Sequence, residues 1–159
     1  MSDEKQFTIE MEQLQGYEFK VKFDLAGVDE LLVDEPPPVG EGKGPNPSRM
    51  ITVAAANCLS ASLLYCVTKN EPPAGSVHTT ATCTLKRNAK GRLRIGSIQV
   101  RMTVDGQIEE ATRMKRCLDL FEEFCVVTAS LRDGFPIDVE VVGQGGETLH
   151  RSSLESDGG

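Results

Sequence analysis

The sequence predicts an α+β fold. The first sign is a stretch of some twenty residues without Gly or Pro, running from Ser48 past Cys66 and opened by Asn46-Pro47. The second is strict apolar alternation on both sides of it, and the third is a later run of helical period closed by one more alternating stretch. Strands that cluster before and between helices, rather than alternating singly with them, indicate segregated sheets and not a βαβ array.

In chain order, Thr8–Glu12 and Phe19–Leu25 alternate around Gln15-Gly16, which makes a hairpin with one apolar face. Leu31–Asp34 is a shorter strand. Residues 35–45 hold four prolines and three glycines, which exclude helix and central strand and leave an extended connector. Asn46 can cap a helix whose first position is Pro47, where a missing N–H costs nothing. The helix that follows is so rich in Ala, Ser and Cys that backbone is expected to approach it all round. After Glu71–Gly75, Val77, Thr79, Ala81, Cys83 and Leu85 define one strand face, Asn88–Gly91 a turn, and residues 93–104 the return strand. Its phase slips at Gly96-Ser97, as a bulge would make it. From Ile108 to Cys125 the period is helical. The run Cys125–Arg132 either continues that helix or begins a new turn, and Asp133–Pro136 ends it. Ile137, Val139 and Val141 form a last strand. One domain therefore spans 1–142, divided into strands (1–34), an arm (35–45) and a helix–strand–strand–helix–strand unit (46–142); 143–159 reads as a flexible tail.

The bulk composition bounds the function. At 159 residues, 39% hydrophobic and 26% charged, the chain can bury a core. A net charge of −7 and only 5% aromatic residues argue against nucleic acid and anionic membrane as partners. No signal peptide or apolar run of membrane-spanning length is read, so a cytoplasmic location is expected. Five cysteines lie at 58, 66, 83, 117 and 125 with no Cys-x-x-Cys pair, and no His, Cys and carboxylate set has metal-ligand spacing. A reducing compartment keeps such thiols free, so any disulfide there would be transient and functional.

With His78 on a strand and His150 in the tail, a Ser–His or Cys–His pair is disfavoured, and the chemistry falls to cysteine. Cys58 sits some 18 Å from its helix start at about 1.5 Å per residue, too far for that helix dipole to act. If a short helix starts at Val126, Cys125 becomes its N-cap, where free amides favour a thiolate. Cys66, Cys83 and Cys117 read as packing residues.

Gly44-Pro45-Asn46-Pro47, Ala54-Ala55-Ala56-Asn57-Cys58 and Cys125-Val126-Val127-Thr128 before Ile137–Val141 resemble the OsmC/Ohr family, the osmotically induced protein C and organic hydroperoxide resistance proteins. The resemblance covers about Leu31 to Val142. It implies an intertwined homodimer, with curved antiparallel sheets around two central helices and active sites at the interface. It also implies a thiol-dependent peroxidase, with Cys58 peroxidatic and Cys125 resolving, acting on organic or hydrogen peroxides. No bound cofactor is implied, only an external dithiol reductant, a lipoyl group in well-studied members. The sequence departs from that pattern at Ser48, where the peroxidases carry Glu, and at Cys125-Val126-Val127-Thr128, where Cys-Pro-x-Ser is frequent. It also has no Arg before Arg49, with only Lys20 and Lys22 to offer charge. Arg49 is the remaining candidate to hold the thiolate; at about 3.6 residues per turn it is out of phase with Cys58, so it would act across a dimer. The departures leave a second reading open, a non-catalytic ligand-binding or redox-sensing protein.

Overall fold

The computed structural model describes residues 3–134 and 137–154. The described residues fall into two compact units. One comprises the chain up to Val53 together with Ala81–Val100, and the other Ala54–Thr80 with the residues from Arg101 onward. The expectation of one domain spanning 1–142 did not separate these units.

In the first unit, β1 (Glu10–Gln15), β2 (Glu18–Lys22) and β3 (Leu31–Val33) form an antiparallel sheet in chain order. Met11 faces Val21 and Gln13 faces Phe19, so the alternation read from the sequence sets the register. Only Val21 of this hairpin is fully buried. The 35–45 arm is not an extended connector. It closes into a loop around Asp34, whose carboxylate accepts the N–H groups of Glu35 (2.8 Å), Glu41 (3.1 Å) and Lys43 (3.1 Å). Asp34 is buried at 4% exposure, and the Lys43 amide first among these donors holds its carboxyl below the usual carboxylate value. A Cβ at Gly40 would collide with the Glu35 carbonyl and the Asp34 carboxylate, so only Gly lets the loop close.

The helix start falls where the sequence places it. α1 spans Pro47–Thr68, and Asn46 Oδ1 accepts the Arg49 amide at 3.2 Å. Lys69, at φ +62°, ends it in the left-handed region. The helix is buried on one face rather than all round. Thr52, Ala55, Leu59, Leu63 and Val67 are buried, while Val53 and Tyr65 are each about 60% exposed. Each buried Leu or Val contributes roughly 1.5–3 kcal/mol. The hydroxyls of Thr52, Ser60 and Thr68 are satisfied within the helix by carbonyls four residues back.

α1 also corrects the expectation that no apolar run reaches membrane-spanning length, since by length and composition it qualifies. Ala, Ser and Cys mask the run to the eye, yet Arg49 is the only charge between 47 and 68. The middle of the helix is engaged by protein: the Ser60 hydroxyl lies 2.7 Å from that of Thr79.

β4 (Val77–Arg87) and β5 (Leu93–Val104) form a two-stranded sheet, with the half-buried faces in the expected phase. The single helix expected over 108–125 is broken into pieces. α2 (Gly106–Glu109) is capped by Asp105, whose carboxylate accepts the Ile108 amide at 3.0 Å. α3 (Met114–Leu120) follows, then a 3-10 turn over Phe121–Phe124, then α4 (Val126–Asp133). The breaks turn Ile108, Cys117, Phe121 and Cys125 into the core, which one straight helix would not do for all four.

Cys66 and Cys117 are not simple packing residues. They form a disulfide with Cα atoms 5.7 Å apart, and closing its 51-residue loop contributes about 4 kcal/mol in the chain-entropy account. The predicted flexible tail is also partly ordered: β6 (Ile137–Val142) pairs antiparallel with β7 (Thr148–Leu154), placing His150 opposite Val141. Phe135-Pro136, expected to end α4, and the tail beyond 154 lie outside the described residues.

Candidate functional site

The second unit brings Cys58 and Cys125 together. Cys58 is in the middle of α1 and half-buried; Cys125 is fully buried at 0% exposure, and both are free thiols. Cys125 is the N-cap of α4, with an extended backbone (φ −79°, ψ 96°), so the short new helix is the alternative that holds.

The amides that open α4 have no helical partners, and the two sulfurs lie where those amides point. Burial, first, pushes the Cys58 thiol up, and its hydrogen bond with Cys125 pushes it further; the Val127 and Val126 amides pull it down without reversing the outcome. At Cys125 burial also pushes upward, but the donors win. The largest is the Thr128 hydroxyl, 3.1 Å from Sγ, followed by the Cys58 thiol, the Thr128 amide and the Ser62 hydroxyl. The net shift at Cys125 is downward. The pair thus titrates as one system: the first proton lost leaves a thiolate centred on Cys125 that accepts from the Cys58 thiol, and the second is held back by that charge.

Arg49 is engaged elsewhere. Its guanidinium donates to Asn46 Oδ1 at 3.0 Å, the same oxygen that caps α1. The groups that act on Cys58 are its neighbouring thiol and the α4 amides. Two contributing residues escaped the sequence reading. Ser62 lies four residues after Cys58 on the same helix face, a spacing that could have shown it. Val127 contributes only its amide, for which side-chain type gives no signal.

Sulfur chemistry is what this arrangement can perform: two neighbouring free thiols, one half-buried and one buried, at a helix N-terminus in an α+β chain. Residues 40–140 match the model of the OsmC-like protein family, and the chain belongs to that family. Solved structures agree in fold. An OsmC-like protein of unknown function from Vibrio cholerae superposes with a TM-score of 0.62 at 15% identity, over 80% of this chain and 94% of that one. An organic hydroperoxide resistance protein OsmC from Legionella pneumophila gives 0.56 at 17% identity, over 80% and 90%. One from Elizabethkingia anophelis gives 0.52 at 20% identity, over 82% and 91%. No curated protein matches the sequence.

Proposed function

We propose that this protein is a thiol-dependent peroxidase that reduces organic or hydrogen peroxides through Cys58 and Cys125. Family membership supports a redox role related to peroxides, and the hydrogen-bonded thiol pair on the α4 amides is the observation that carries the reading. Cys58, the more accessible sulfur, is the nucleophile. Its proton passes to the Cys125 thiolate as its sulfur attacks one peroxide oxygen and the O–O bond breaks. The departing alkoxide takes that proton back from Cys125 and leaves as alcohol, with Cys58 now a sulfenic acid. The Cys125 thiolate then attacks the Cys58 sulfur and displaces hydroxide, which leaves as water after taking a proton from solvent. An external dithiol, a lipoyl group being the expected kind, reduces the disulfide by exchange and is itself oxidised. A homodimer with the site at its interface is the setting the family resemblance suggests, and a cytoplasmic location, which keeps such thiols reduced, is the expected compartment.

Steady-state consumption of an alkyl hydroperoxide with dihydrolipoamide tests this, with turnover lost in Cys58→Ser. Absence of turnover in the wild-type protein would refute it. A second reading, a slow thiol redox sensor, is favoured by the upward push of burial on Cys58 and by the Arg49 guanidinium being committed to Asn46. Stoichiometric oxidation without turnover would select it. A non-catalytic ligand-binding role would leave both thiols unoxidised.

A further inference from the structure

Eight residues separate Cys58 from Cys66 on α1, and eight separate Cys117 from Cys125 on the segment made by α3 and the 3-10 turn. Cys66 is bonded to Cys117, and Cys58 and Cys125 lie near enough that each shifts the other's ionisation. The two segments therefore run past each other in opposite directions with matched spacing. Cys58, Ser62 and Cys66 form one stripe of α1 at four-residue intervals, and Ser62 also reaches Cys125. Between Cys117 and Cys125 the chain is held without slack. Phe121 is buried, and the Cys125 amide donates to the Glu122 carbonyl at 3.2 Å.

We infer that the Cys66–Cys117 disulfide is a register clamp that holds Cys125 against Cys58, so that its redox state governs how fast the second pair closes. The inference rests on the two-thiol reading of the site, but not on the peroxide being its oxidant. A shift of one residue along α1 would carry Cys66 away from Cys117 and Cys125 away from Cys58 together, so fixing one pair fixes the other. In a reducing compartment such a bond is not permanent. An excess of dithiol converts it to two thiols, delivering two electrons and two protons and becoming a disulfide itself. The Cys117–Cys125 segment would then depend on packing and its own hydrogen bonds, with no covalent tie to α1, to present the resolving sulfur. Cys66 and Cys117 are thus positioning residues that touch no substrate. The clamp couples the site to the dithiol pool, and strongly reducing conditions would slow resolution just when reductant is plentiful.

The order of closure in the wild-type chain tests this. Protein fully reduced with dithiothreitol and desalted is oxidised with diamide, which acts on any accessible thiol pair. It is quenched with N-ethylmaleimide at intervals and mapped by peptide mass. Cys66–Cys117 is expected to close first, and Cys58–Cys125 about tenfold faster in molecules already clamped than in unclamped ones, as expected for better-positioned partners. Closure of Cys58–Cys125 at one rate in both populations, or before Cys66–Cys117, overturns the clamp. A Cys66→Ala/Cys117→Ala variant adds a second readout with alkyl hydroperoxide. Dimedone-trapped Cys58 sulfenic acid should accumulate while the rate of first thiol loss stays within about twofold of wild type. Equal trapping in variant and wild type overturns the clamp. If diamide closure depends on the clamp while peroxide oxidises neither thiol, the peroxidase reading fails and the clamp stands.

Discussion

Two places in this chain gather backbone amides around an anion, and they do opposite things with it. At Asp34 three amides at 2.8–3.1 Å close on a carboxylate that is ionised at any physiological pH. At the start of α4 the amides of Val126, Val127 and Thr128 face two thiols whose ordinary ionisation lies near neutrality's upper edge. The first arrangement spends its donors on stability and shapes a Pro/Gly loop. The second divides them between two sulfurs, leaving one proton shared. A permanent anion makes a structural anchor; a conditional one is what the proposed thiol chemistry requires.

The contrast can be broken at either end. The largest effect is expected at the thiols: Cys58→Ser or Cys125→Ser should abolish peroxide-driven closure of the pair, since a serine hydroxyl neither forms a sulfenic acid nor condenses with one. Quenched-flow alkylation measures it. Gly40→Ala should destabilise the first unit by about 1–3 kcal/mol in urea unfolding, because the new methyl meets the Asp34 cradle, while thiol reactivity is unchanged. Asp34→Asn should flatten the acid limb of stability. Its folded pKa lies below the unfolded value, so its contribution is complete above the ordinary carboxylate range and fades as pH falls through the folded value. Thermal melts across that range should show the wild type losing its advantage over the variant. Thr128→Val should raise the first ionisation of the thiol pair, seen as an upward shift in the pH profile of iodoacetamide reaction. Ser62→Ala should shift it the same way by less, as the weaker donor.

Much of this was legible in the residues. The Asn46-Pro47 helix start, the strand alternation and the capping position of Cys125 follow from local rules, and the structure bears out each. The failures depend on contacts that pattern alone does not specify. Residues 35–45 read as extended because prolines and glycines exclude helix and central strand, but only the carboxylate of Asp34 folds the segment back. Helical period persists across 108–125, so nothing local signals that burial of Phe121 and Cys125 breaks it. Cys66 and Cys117 read as small packing residues because a 51-residue separation hides their approach. The polar sequence of β7 has too little apolar alternation to stand out before its pairing with β6 is known. At the thiol site both cysteines were readable, whereas the α4 amides that act on them are groups every sequence possesses, for which side-chain type gives no signal.

The most direct measurement is the intact mass of the protein under non-reducing conditions before and after about one equivalent of alkyl hydroperoxide, followed by disulfide mapping. A redox pair at Cys58 and Cys125 requires the loss of two hydrogens, mapped to a Cys58–Cys125 bond with Cys66–Cys117 unchanged, and abolished in either single serine variant. An unchanged mass, or oxidation confined to Cys83, would contradict it.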